Sequence, residues 1–293
     1  MIIIKKEYGQ LGNRLHTHAN ILAWCIQNNH SLLNLSFRKF SHYFKQSGHR
    51  KADFFIQENS FLKAFLYSSF LHYFIDKLCM SEKWLSRLSS FVQLISLNDN
   101  ETLDEHRLNQ LTDCNKKFTV IHCWDVRCEK SLSLNANQIR EILTPNKNSI
   151  DIASAYVKKL KSKYDILIGV HARRGDYKQY LGGQYFHSWK SYKEWISQAK
   201  NLFESEDSSR EVGFILCSDE IPKKYDFDSL PVYIPDFKMM MSDLHALSIC
   251  DYSMGPPSSF GTWYSWYGKV PRCILEHNTR INSIGQFLIC QSC

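Results

Sequence analysis

The stretch Ile166-Leu167-Ile168-Gly169-Val170-His171-Ala172-Arg173-Arg174-Gly175-Asp176 decides how this chain is read. Its first five residues are mostly apolar and read as a buried strand. A basic amphipathic helix, 152–163, precedes them. Two adjacent arginines therefore stand where a strand of an open α/β sheet ends, which is where ligands of such sheets bind. An arginine there is a bidentate clamp for phosphate or carboxylate. Gly175 permits a sharp turn, and Asp176 can orient an arginine or take a proton. A buried structural ion pair would use the same residue types, so both readings stand at this point.

Working outward, helix and strand alternate through the C-terminal half. The pattern predicts helix 189–204, strand 213–217, strand 232–234, helix 243–250, strand 252–255 and helix 260–267. This is the rhythm of a parallel sheet with helices on both faces. The polar breaker Thr144-Pro145-Asn146-Lys147-Asn148 sets a boundary, giving domains 1–149 and 150–293. The first contains a strand at Met1–Ile4, a helix from Leu15 to Gln27, an aromatic, helix-rich stretch over 54–97, and a strand at Phe118–Cys123. A chain of 293 residues suits two medium domains with real cores.

The net charge of +7 suits an anionic ligand or an anionic membrane surface. It is too diffuse for nucleic acid, because no basic run is interleaved with aromatics. The apolar start, Met1–Ile4, is too short for a signal peptide, and Lys5 and Lys6 follow it. The expected location is cytoplasmic. Phe61–Ile75 is aromatic and nearly uncharged, too short to cross a bilayer, with Lys63 near its start and Lys77 just after it. It reads as a core helix or as a peripheral contact with the inner membrane face. Of ten cysteines, Cys290 and Cys293 form a CxxC with no second pair at zinc spacing. Cys114, Cys123 and Cys128 read as core or idle thiols.

Three further constellations carry polar groups at strand ends. Gly9-Gln10-Leu11-Gly12-Asn13-Arg14-Leu15-His16 lies between the first strand and first helix, where backbone can approach a ligand closely. A tight structural turn would look the same. Phe214-Ile215-Leu216-Cys217-Ser218-Asp219-Glu220 is a strand ending in carboxylates. These could accept two N–H bonds from a guanine edge or cap the next turn. Finally, Ser242 is placed as the N-cap of a helix starting at Asp243. A short strand then leads to Pro256-Pro257-Ser258-Ser259, whose hydroxyls and backbone N–H groups suit a phosphate or a plain helix cap. Two arginines, two serines and a carboxylate pair at strand ends describe a nucleotide-diphosphate site.

The His171-Ala172-Arg173-Arg174-Gly175-Asp176 segment resembles the signature of α-1,2-fucosyltransferases and of the wider fucosyltransferase superfamily. Gly9 to Leu15 resembles the N-terminal motif of the α-1,2 family, with Arg14 in place of a glutamine. Asp243-Leu244-His245-Ala246-Leu247-Ser248 through Ser258-Ser259-Phe260 is similar to its third motif. All three come in order. Residues 182–186 and Pro256-Pro257 depart from the pattern.

The resemblance implies an α/β, GT-B-like fold of two Rossmann-like domains facing across a cleft. Residues 1–149 would be the acceptor side and 150–293 the nucleotide-sugar domain. It implies inverting transfer of fucose from GDP-β-L-fucose to a glycan hydroxyl, with an α-1,2 linkage to galactose, and no metal or other cofactor. Arg173 would hold the β-phosphate, with Arg174 and Asp176 supporting the strand end. His171 and one of Asp219 and Glu220 would lie near guanosine. Ser258 and Ser259 would bind diphosphate oxygens, Asn13 would line the cleft, and Asp243 belongs to the donor-binding set. Asp176, His16 and His18 are the candidates for the base. A glycan would be the acceptor, or a lipid-linked oligosaccharide if 61–75 rests on the membrane. A GT-B transferase of another nucleotide sugar, or a non-catalytic nucleotide- or glycan-binding protein, would need much the same cradle.

Overall fold

The computed structural model describes residues 1–45, 54–55, 90–112, 115–237 and 239–293. The chain divides into two compact units, Met1–Asn146 and Lys147–Gln291. Phe61–Ile75 and Cys114 lie outside the described residues.

In the first unit the described strands are β1 (Ile2–Ile4), β2 (Leu32–Asn34), β3 (Phe54–Phe55), β4 (Val92–Ser96), β5 (Thr102–Asp104), β6 (Phe118–His122) and β7 (Asp125–Arg127). Its helices are α1 (Leu11–Gln27), α2 (Glu105–Leu111), α3 (Glu129–Leu134) and α4 (Ala136–Ile142). The main sheet runs β3-β2-β1-β6-β4, parallel except for the β2–β3 pair. The first helix starts at Leu11, four residues before the expected Leu15, directly after the glycine turn. Part of the stretch expected to be helix-rich, 92–96, is a strand that pairs with β6 in register over its whole length.

The second unit runs α5 (Lys147–Lys161), β8 (Ile166–Ala172), α6 (Trp189–Glu206), β9 (Val212–Ser218), β10 (Val232–Tyr233), α7 (Met240–Ser248), β11 (Tyr252–Gly255), α8 (Ser259–Gly268) and β12 (Arg272–Ile274). The sheet order is β10-β9-β8-β11-β12, every pair parallel. Counted from β8, that is 3-2-1-4-5, the doubly wound order, with its switch point between β8 and β11.

Strand alternation sorts the side chains of this sheet. Ile168, Val170, Ala172, Phe214 and Leu216 pack with Tyr192, Trp195, Ile196, Ala199 and Phe203, the apolar stripe of α6. The intervening positions, Gly169, His171 and Cys217, belong to the opposite face. There a Cβ on Gly169 would lie 2.8 Å from Leu247 of α7. His171 and Cys217 are register partners.

One expected boundary is corrected. Ser242 does not cap a helix: α7 already begins at Met240, with Met239 as N-cap, and Ser242 is fully buried within it. The earlier start buries Met241 together with Leu244 and Leu247, and apolar burial outweighs a hydroxyl cap. β12 is an element the sequence pattern did not reveal.

Candidate active site

A pocket of about 420 Å³ opens at the carboxyl ends of β8, β9 and β10, beside the first turns of α7 and α8. His171, Arg173, Cys217, Asp219, Asp243 and Phe260 are among its lining residues. The site thus lies where a doubly wound sheet places its ligands.

Arg173 follows β8 immediately and is held rigidly. Its Nε donates to Asp176 Oδ1 at 2.8 Å and its Nη2 to Asp176 Oδ2 at 2.6 Å. Asp219 Oδ2 lies 3.7 Å from Nε, and the guanidinium sits over the Tyr177 ring. The side chain remains 24% exposed, so the fork is fixed but not covered. Asp176 is held below the usual carboxylate range by its hydrogen bonds to Arg173. It is an anchor for the arginine and a poor proton acceptor.

Arg174 has a different task. Its backbone N–H donates to Asp219 Oδ1 at 2.7 Å, and Gly175 N–H to Oδ2 at 3.1 Å. Its guanidinium is buried, stacked on Phe186 and Trp189, 4.7 and 4.2 Å from their ring centres. It donates to the His187 carbonyl and to Glu220. It is not among the residues that line the pocket. The 182–186 stretch that departs from the family pattern thus supplies part of the clamp on Arg174. Glu220 also pairs with Lys178 at 3.1 Å, so both carboxylates ending β9 have partners.

Asp243 projects from the first turn of α7. Burial pushes its carboxyl up to about 6, against a hydrogen bond from the Cys217 thiol. Burial raises that thiol far above its ordinary value. His171 is lowered to about 3, first by burial and then by the positive charges of Arg272 and Arg173. It is therefore a neutral imidazole across the physiological range. Its Nδ1 is buried without a hydrogen-bond partner, and its ring packs against Phe260 and Tyr264.

At the switch point, Ser258 caps α8, its Oγ accepting from Gly261 N–H at 2.9 Å. Ser259 is the first residue of that helix. Neither serine is among the pocket-lining residues. The turn is tied to the arginine loop by Tyr177 Oη, which donates to the Pro257 carbonyl at 2.7 Å. The sequence reading missed two contributors. Cys217 was visible only as a strand residue. Arg272, a lone charge in an apolar strand, donates to the Pro256 carbonyl beneath this turn.

The glycine motif belongs to the first unit. Gly9 adopts φ +56°, and a Cβ there would collide with the Asn13 side chain. Arg14 is buried, bonded to the Ser36 and Gly9 carbonyls and paired with Glu7 at 2.8 Å. It locks the turn. Asn13 and His16 lie on the first turns of α1, half-buried. His18 is a core residue, 1% exposed, stacked on Phe37 and bonded to Asn34. That placement removes it as a base. Among the described residues no group of three His, Cys, Asp or Glu side chains is placed to hold a metal. Cys290 and Cys293 are not joined by a disulfide. Among the described residues no helix is long and apolar enough to cross a membrane.

The whole chain aligns with a structure of an Arabidopsis thaliana FUT1 point mutant in complex with GDP. The TM-score is 0.57 at 12% identity, covering 95% of this chain and 72% of that one. The chain shares the fold of that fucosyltransferase. It is α/β and GT-B-like, with a mostly parallel main sheet in the first unit and a parallel sheet in the second. More distant likenesses are NodZ, a fucosyltransferase from Bradyrhizobium, with a TM-score of 0.48 at 15% identity over 96% of this chain and 99% of that one. POFUT1 in complex with GDP gives 0.49 at 10% identity over 91% and 93%. No family model and no curated protein sequence matches the chain.

Proposed function

We propose that the protein is an inverting fucosyltransferase that moves L-fucose from GDP-β-L-fucose to a glycan hydroxyl. One observation carries the reading. A single pocket has a half-buried carboxylate, Asp243, in one wall and an anchored, accessible arginine, Arg173, at the end of β8. A guanine edge offers two adjacent N–H donors, which a carboxylate accepts together. Adenine and uracil lack that pair. Asp219 and Glu220 are engaged by Arg174, Gly175 and Lys178, so Asp243 takes the guanine role first expected at the end of β9.

As the acceptor hydroxyl attacks the anomeric carbon, charge grows on the β-phosphate of departing GDP. Arg173, already fixed by Asp176, meets that charge without reorganising, which is the condition for strong electrostatic catalysis. Ser258 and Ser259, at the start of α8, place backbone N–H groups and a helix dipole toward an anion. Asp176 serves as the anchor of Arg173 rather than as the base; His16 as the base rests on the sequence reading alone. Metal independence and the α-1,2 linkage to galactose are parts of the same proposal that rest on the motif resemblance; a lipid-linked acceptor rests on the aromatic, nearly uncharged sequence of 61–75 and the basic charge of the chain. Incubation with GDP-β-L-fucose and a panel of galactosides, with GDP release and product linkage measured, tests it. GDP binding without turnover on any acceptor would favour the non-catalytic binding protein.

A further inference from the structure

Arg272 is the most unusual charge in the second unit. It lies on β12, opposite Ser253 of β11, and only 3% of it is exposed. Its Nη2 donates to the carbonyls of Pro256 at 2.5 Å and Gly255 at 3.4 Å. Its Nε is buried with no partner. Among the described residues no carboxylate pairs with it. A Cβ on Gly261 would lie 2.3 Å from Nη2, so the guanidinium rests against the first turn of α8.

That position is electrostatically unfavourable. A helix N-terminus carries partial positive charge and prefers an anion, and a buried charge without a counter-ion is costly. Here a buried cation is stacked on a helix N-terminus; among the described residues its hydrogen-bond acceptors are two carbonyls, and the Tyr264 ring centre lies 5.8 Å away. Arg173 adds a third positive element at the same switch point, although Asp176 balances it. His171, on β8 with β11 between it and β12, is lowered first by burial and then by the charges of Arg272 and Arg173. A buried cation without a carboxylate partner, facing a ring and two carbonyls, can pair with an anionic ligand.

We infer that Arg272 is a positioning residue for a diphosphate. It fixes the Gly255–Pro257 turn through its carbonyls and charges the N-terminus of α8 from beneath, so that an anion bound there completes the pairing. It acts through the turn and does not touch the ligand. The inference rests on the proposed donor site but concerns only its phosphate end.

The test compares wild type, Arg272→Met and Gly261→Ala in binding GDP, inorganic pyrophosphate and guanosine, followed by NMR titration. The alanine displaces the guanidinium without removing its charge, and only the flexible end of Arg272 need move. Each variant should weaken GDP and pyrophosphate by about tenfold or more. Guanosine binding should not change. Arg272→Lys, which keeps the charge, should recover part of the loss. A purely structural arginine would lower GDP and guanosine affinity together. If Arg272→Met does not fold, Gly261→Ala decides alone. Wild-type affinity for pyrophosphate in either folded variant overturns the inference. If the wild type binds pyrophosphate but not GDP, the donor reading falls and Arg272 is judged on pyrophosphate. If it binds neither, both fall.

Discussion

Both nitrogens along one edge of the Arg173 guanidinium reach both carboxylate oxygens of Asp176, at 2.8 and 2.6 Å. The pair is three residues apart across the turn that Gly175 begins. A bidentate pair fixes direction as well as distance. With Nε and Nη2 occupied, the remaining face of Arg173 is aimed by Asp176.

The two adjacent arginines should therefore separate cleanly in mutagenesis. Arg173→Ala should lose roughly 100- to 1,000-fold in transfer rate, the usual effect of removing one preorganised donor. Its melting temperature should stay close to wild type. Arg173→Lys should not restore the rate, because an ammonium cannot fill the fork. Arg174→Ala should instead destabilise the fold by roughly 2–4 kcal/mol, since it removes a buried, stacked and paired cation. Denaturant unfolding beside steady-state rates checks both.

Donor binding should depend on pH through Asp243. A guanine edge needs the ionised carboxylate, and its pKa is raised to about 6. GDP affinity should be flat above pH 7 and fall about tenfold per unit below pH 6. His171, lowered to about 3, stays neutral through that window and adds no break of its own. Calorimetric titration between pH 5 and 8 would show the bend, and Asp243→Asn should remove both bend and tight binding.

The same carboxylate should cost stability in the free protein. Its folded pKa lies above its ordinary value of 3.8, so the folded chain binds the proton more tightly than the unfolded one. The penalty is full above pH 6 and fades as pH falls toward 3.8. Asp243→Asn should accordingly be more stable than wild type by roughly 1–3 kcal/mol at pH 8. The advantage should vanish near pH 4. Urea unfolding at the two pH values checks the sign.

Transfer should persist in EDTA. In the proposed site Arg173 and the start of α8, supported from beneath by Arg272, would face the diphosphate without a metal. Rates measured with and without chelator test this. Loss of activity restored by manganese or magnesium would point to a metal-dependent transferase.

Much of the second unit was legible because its strands are short apolar runs that end abruptly in polar residues. β8, β9 and β11 fall within two residues of their expected bounds at each end, and the two arginines follow the carboxyl end of β8 as read. What was not legible depends on distant partners. Nothing local tells Arg173 from Arg174. Trp189 and Phe186 decide that one is buried while the other faces the pocket. Ser242 has every local mark of a cap, yet the helix begins earlier to bury Met241. Arg272 is one charge in a three-residue strand, and its meaning comes from the α8 turn it supports. In the first unit, Arg14 looked like part of a ligand loop and instead locks that loop to Glu7 and Ser36.

The central claim is that the pocket between β8 and α7 recognises a guanine nucleotide. Its most direct test is equilibrium binding of GDP, UDP and ADP to the wild type and to Asp243→Asn at pH 7.5. The expected result is GDP binding at least about tenfold tighter than either rival, with that preference abolished in the variant. Equal affinity for the three nucleotides, or a variant that still prefers GDP, would contradict the account.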